Sequence, residues 1–201
     1  TPSSAASPSS RTGAIRLVRA PVWAEPAAGC VVPAARRVLN AAPAPADNGC
    51  LTTDIDVLVV NQVEMRAVAE LVGACAGTGE TVDVAGTVLA TSRTLNCVVV
   101  CTTGADGAYV NVGDRVAHIP AVQVTAVDTT AAGDTYTGFL AAALARGETD
   151  LTAALTTASA AAAVTVTRRG AMASIPYAHE IGPVAAHAGP STDSTQLTTK
   201  G

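Results

Sequence analysis

The stretch VDTTAAGDTYTGFL, residues Val127 to Leu140, sets two carboxylates, Asp128 and Asp134, around a run of very small residues and directly before an apolar helical pattern. A strand, a small-residue loop and a helix in that order make an anion site. The first amides of a helix lack internal partners, and the aligned peptide dipoles put partial positive charge there. Ala131, Ala132 and Gly133 have almost no side chain to keep a phosphate from those amides. A carboxylate in the same place would ordinarily repel a phosphate. Asp134 makes chemical sense if it faces an incoming hydroxyl and accepts its proton while the amides neutralise charge on a transferring phosphoryl group. Spacing alone also allows a second reading, in which Asp134 is an acidic helix N-cap.

The elements around this loop follow from periodicity. VLN at 38–40 and DIDVLVV at 54–60 are apolar runs of strand length. Val63, Ala67, Val68 and Leu71 recur at helical spacing, with Gly73 as a stop. The segment ETVDVAGTVLATS predicts a weaker helix ahead of a buried strand at CVVVC, and AYVNVGDRVAHIP predicts a hairpin turning at Gly113 and Asp114. Val122 to Val127 reads as a further strand. Helices follow at about 134–146, ended by Gly147, and at 151–165, capped by Asp150. Strands alternating with helices imply an α/β domain with a largely parallel sheet covered on both faces.

Composition narrows the partners. The 201 residues are 49% hydrophobic and carry a net charge of −4, enough apolar material for one compact domain and no basic field for nucleic acid. No apolar run is long enough to cross a bilayer, so no membrane partner is expected. Five cysteines fall in no metal-ligand spacing with the three histidines, which reads as a reducing, cytoplasmic setting. Residues 1–34 mix Pro, Ser, Ala and Arg without a period and read as unfolded or unrelated to the domain, and 183–201 as a flexible tail. The acid-poor start has the character of an organellar transit peptide, and beginning with Thr equally suits a fragment or a mis-set coding start.

Several segments, in order, resemble the ribokinase branch of the PfkB-type carbohydrate kinases. AVDTTAAGDTYTGFLAAAL is similar to the family's C-terminal signature, and AAAAVTVTRRGAMASIP continues it. Upstream, VLNAAPAP, VNQVE and VVVCTTGADGAYV resemble family strand ends and the nucleotide-side strand and loop, so that the likeness covers roughly residues 35 to 182. It implies a ribokinase-like three-layer α/β/α sandwich and the cofactors ATP, Mg²⁺ and K⁺. It implies Asp134 as catalytic base, with the amides of Ala131, Ala132, Gly133 and Asp134 as anion hole. Asn61 and Glu64 would place the hydrated Mg²⁺, and Thr102, Gly104 and Gly107 would line the ATP site. Ser159 stands where the family often has His or Asn beside the adenine. Asp128 and Thr130, with Thr165, Arg168, Gly170 and Ser174, correspond to a monovalent-cation site. The resemblance also implies a small sugar substrate, ribose by preference, and a homodimer for the full-length family form.

Nothing in residues 1–34 resembles the family's N-terminal half, with its β-lid and sugar-gripping motifs, so an exposed sheet edge is expected where neighbours would pair. Two functions remain open: an ATP-dependent kinase acting on ribose or on another sugar or nucleoside, weakly active or inactive as this chain, and a non-catalytic nucleotide-binding or interaction module. A plain Rossmann-type binder is disfavoured, because no Gly-x-Gly-x-x-Gly follows a strand.

Overall fold

The computed structural model describes residues 15–22, 34–51, 55–75 and 83–181, with side chains from residue 37 onward. Six strands form one sheet in the order β1 (Ile15–Val22), β2 (Ala34–Asn40), β3 (Val57–Asn61), β4 (Val98–Thr102), β5 (Ala108–Val112) and β6 (Arg115–Ile119). Helices α1 (Gln62–Leu71) and α2 (Val84–Leu95) cover one face, and α3 (Ala132–Ala145) and α4 (Leu151–Val166) the other.

Strand periodicity produces the two cores. In β3, Val57 and Val59 pack under Leu140 and Leu155, whereas Leu58 and Val60 pack under Met65 and Val68. Successive side chains point to opposite faces, so a strand buried on both sides reads as one unbroken apolar run. Each fully buried Leu or Val contributes about 1.5–3 kcal/mol. Helix α4 is Ala-rich, and Ala154, Ala158 and Ala161 are buried, which lets its backbone approach the sheet and α3 closely.

Capping fixes where the helices begin. Asn61 and Glu64 form a reciprocal capping box on α1, Asp83 caps α2, and Asp150 caps α4 by accepting from the amides of Thr152 and Ala153. Asn96, left-handed at φ 51°, ends α2.

Three expectations change. The sheet is mixed: only the β2–β3 and β3–β4 pairs are parallel. Strands β4, β5 and β6 are joined by loops too short for a crossover and must run antiparallel. Val122–Val127 is not a strand. Val124 and Val127 are exposed, and the amides of Val127 and Asp128 bond to the Val166 carbonyl at the end of α4, so no ladder forms. Within the segment read as unfolded, Ile15–Val22 forms β1. It pairs antiparallel with β2, so β2 is an interior strand and β1 ends the sheet on that side. The rest of residues 1–33, apart from that strand, and the expected tail at 183–201 lie outside the described residues.

Candidate active site

The loop between β6 and α3 ends in an uncapped helix. Ala131 is the N-cap, at φ 63° and ψ 8°, and has no side chain that could bond to the first amides. Left-handed backbone at an alanine costs about 1–2 kcal/mol. Such strain collects where a backbone must present its groups to a ligand. A left-handed residue followed by helical ones turns successive N–H groups to one side, making an anion-binding concavity. The Ala132 amide is used within the turn, donating to the Thr129 carbonyl at 3.3 Å, which leaves the Gly133 and Asp134 amides as the leading donors at the helix start.

Asp134 is therefore not the N-cap. It stands two residues into α3, exposed, and its Oδ1 accepts a hydrogen bond from Asn40 Nδ2 at 3.3 Å. Asn40 is the last residue of β2 and is 4% exposed. The sequence reading used Asn40 only as the end of a strand-length run and within a family resemblance, not as a site residue. Its signal was available: a polar residue directly after two buried apolar ones, at a strand's C-terminal end, where α/β sheets place their sites.

A pocket of about 260 Å³ runs beside the helix start. Thr102, Gly104 and Gly107 from one strand end and turn, and Ser159 from α4, line it together with Ala132 and Gly133. Two glycines serve it differently. Gly107 lies at φ +108°, and a Cβ there would meet the Ile119 carbonyl oxygen at 2.1 Å. Around Gly133 a Cβ would meet nothing within 4 Å, so its missing side chain keeps open space at the helix start. The turn at Gly104–Asp106 is held from outside: His118 Nε2 donates to the Asp106 carbonyl at 2.7 Å, and Gln123 Nε2 to the Ala105 carbonyl at 3.2 Å. Ser159 Oγ reaches the Pro120 carbonyl at 3.5 Å, a long contact that leaves the hydroxyl at the pocket wall.

Below the helix start, Asp128 ties the loop to the end of α4. Its Oδ1 accepts from the Thr130 amide at 2.9 Å and its Oδ2 from the Gly170 amide at 3.0 Å. The Thr130 hydroxyl, then the Gly170 and Thr130 amides, hold its carboxyl down at about 2. Arg168 donates from its amide to the Thr165 carbonyl at 3.0 Å and pairs through its side chain with Glu180 at 2.7 Å. Ser174 is fully buried and donates to the Ala171 carbonyl at 2.7 Å. Asp128, Thr130 and Gly170 are thus joined directly, and Thr165 and Arg168 by a neighbouring backbone bond.

Asn61 and Glu64 have a structural task of their own. Asn61 Oδ1 accepts from the Glu64 amide at 2.9 Å, and Glu64 Oε2 from the Asn61 amide at 2.8 Å. Asn61 pairs with Thr102 across the β3–β4 ladder, which sets this box beside the first residue of the pocket.

The sequence profile of the pfkB family carbohydrate kinases matches residues 22–178. The chain belongs to this family. The ribokinase of Staphylococcus aureus is 35% identical over 147 residues, 73% of this chain and 47% of that protein. The crystal structure of ribokinase from Thermotoga maritima superposes with a TM-score of 0.63 at 32% identity, covering 72% of this chain and 46% of that one. A ribokinase structure from Arabidopsis thaliana, complexed with ribose and ATP, gives a TM-score of 0.55 at 27% identity over 69% of this chain and 43% of that one. The fold is ribokinase-like α/β/α, and the chain spans under half the length of these relatives. Among the described residues no helix is long and apolar enough to cross a membrane.

Proposed function

We propose that this chain forms the nucleotide and phosphoryl-transfer side of an ATP-dependent sugar kinase, with D-ribose the favoured acceptor and ribose 5-phosphate the product. The observation that carries this assignment is the pocket that joins Thr102, Gly104, Gly107 and Ser159 to the uncapped start of α3, with Asp134 exposed beside it. Residues 35–182 are the kinase portion. The ribose and ATP bound by the Arabidopsis relative support the choice of substrates.

The chemistry follows from what each group can do. The Gly133 and Asp134 amides hold a phosphoryl group by charge-assisted hydrogen bonds at the positive end of the helix. Asp134 accepts the proton of the attacking sugar hydroxyl as its oxygen bonds to the γ-phosphorus and the bond to the ADP oxygen breaks. With Oδ1 held by Asn40, the other carboxylate oxygen is the one offered to that hydroxyl.

Among the described residues no cluster of three His, Cys, Asp or Glu side chains could cage a metal. The Asn61 amide oxygen and the Glu64 carboxylate suit Mg²⁺ carried on the nucleotide phosphates, which keeps several waters and needs few protein oxygens. Asn61 and Glu64 would accept from those waters, and Mg²⁺ would supply charge neutralisation for the phosphates. The Asp128 carboxylate and the carbonyls of Thr130, Thr165, Arg168 and Gly170, with the Ser174 hydroxyl, would hold K⁺. Asp128 fits that task because it is anionic throughout the physiological range.

The test incubates the chain with ribose, Mg-ATP and potassium, following ribose 5-phosphate and nucleotide-dependent thermal shift in parallel. Nucleotide binding is expected. Turnover by this chain alone is expected to fall far below the ordinary range of about 1–1,000 per second, because positioning of both substrates supplies most of the acceleration. Absence of any nucleotide-dependent shift would refute the assignment.

A further inference from the structure

Tyr136 is a pocket-lining residue of α3, four positions after Ala132 and three after Gly133, so the three share one helix face. It is 5% exposed, and its hydroxyl oxygen is buried with no hydrogen-bond partner among the described residues. Its neighbours on the helix differ. Thr165 Oγ1 donates to Thr135 Oγ1 at 3.0 Å, and Thr137 Oγ1 donates to the Gly133 carbonyl at 2.8 Å.

The ring belongs to the apolar cluster with Leu140, Leu144 and Leu155, where a phenylalanine would pack equally well, so packing leaves the oxygen unexplained. A buried hydroxyl without a partner is a net cost to the fold, and in native structures it marks a place where a ligand or water completes the bond. Thr87 and Thr91 on α2 also carry unpartnered buried hydroxyls, but neither lines this pocket. Burial pushes the Tyr136 ionisation well above the usual phenol range, which keeps it a neutral group able both to donate and to accept.

We propose that the Tyr136 hydroxyl makes its missing hydrogen bond to the nucleoside part of a bound nucleotide, and is a binding determinant of this site. The proposal rests on the nucleotide assignment made above. It falls on the nucleoside rather than the phosphates because Tyr136 shares its pocket wall with Ala162, Ala163 and Val166 of α4, an uncharged surface, one turn below the phosphate-facing amides.

The test is Tyr136→Phe in this chain, read by thermal unfolding without ligand and by titration with Mg-ATP and ADP. Two opposite effects are expected. The unliganded variant should melt about 2–4 °C higher, having lost an unpaired buried group. Its affinity for both nucleotides should fall about three- to ten-fold, the worth of one neutral hydrogen bond. Wild-type binding with no weakening in the variant would overturn the proposal and leave the nucleotide assignment standing. A weakening confined to Mg-ATP would overturn the placement on the nucleoside. Failure of the wild type to bind either nucleotide would overturn both.

Discussion

Asn40 and Asp134 lie 94 residues apart and are joined by a hydrogen bond of 3.3 Å from Asn40 Nδ2 to Asp134 Oδ1. The bond ties the end of β2 to the first turn of α3 and fixes which carboxylate oxygen remains available. Under the proposed sugar-kinase assignment, Asp134→Asn is expected to lower turnover by about 10²–10⁴-fold, because an amide keeps the shape but cannot accept the proton. Mg-ATP binding should survive. A loss of only a few-fold, measured as kcat alongside nucleotide Kd, would reduce Asp134 to a packing role.

Asn61 and Glu64 spend one oxygen each on the α1 capping box. Asn61→Ala should therefore cost about 1 kcal/mol in chemical denaturation. If these side chains also receive Mg²⁺ waters, Asn61→Ala and Glu64→Ala should both raise the Mg²⁺ concentration needed for nucleotide-dependent thermal stabilisation. An unchanged Mg²⁺ requirement with the expected stability loss would assign the pair to capping alone.

Two glycines of the pocket should respond in opposite ways to alanine. Gly107→Ala combines a φ of +108° with a backbone oxygen 2.1 Å from the new Cβ, so a loss above about 3 kcal/mol is expected, enough to threaten folding. Gly133→Ala meets no neighbour and removes a helix glycine, so stability should hold or rise by up to about 1 kcal/mol. Its methyl enters the space at the helix start, and Mg-ATP affinity should drop roughly ten-fold. Unimpaired binding in Gly133→Ala would remove the phosphate from that position.

Asp128 makes stability depend on pH in a defined window. Its folded-state value of about 2 lies below the ordinary 3.8, so the ionised form favours the fold. The contribution is fully present above the higher value and is lost as pH falls through the lower one. Urea unfolding of wild type and Asp128→Asn should differ by a constant amount above about pH 5 and converge toward pH 2. A difference that grows on acidification would contradict the observed amide bonds as its source.

Local signals carried most of the architecture. An apolar run of strand length foretold β3, Asp150 foretold the start of α4, and Gly113 with Asp114 foretold the β5–β6 hairpin. Val122–Val127 misled because β-branched residues report a preference for extended backbone and cannot report whether a neighbouring strand exists. β1 was illegible for the converse reason, since IRLVRAPV carries no clean period and gains its regularity only by pairing with β2. At the site, small residues before Asp134 pointed to the anion loop, but Ala131 as the N-cap was not legible, because a left-handed alanine is set by tertiary context. Asn40 and Tyr136 were overlooked as pocket or loop partners for the same reason. The Asn40 bond joins elements far apart in the chain, and the burial of the Tyr136 hydroxyl depends on how such elements pack.

The most direct test is a titration of the isotope-labelled chain with Mg-ATP, followed through its backbone amide resonances. Saturable shifts are expected at Thr102–Gly107, at Thr129–Asp134 and along the pocket-facing side of α4 from Ser159 to Val166, with the Gly133 and Asp134 amides moving furthest. Absence of shifts at saturating Mg-ATP, or shifts confined to residues outside these three segments, would contradict the placement of nucleotide and phosphoryl transfer at the start of α3.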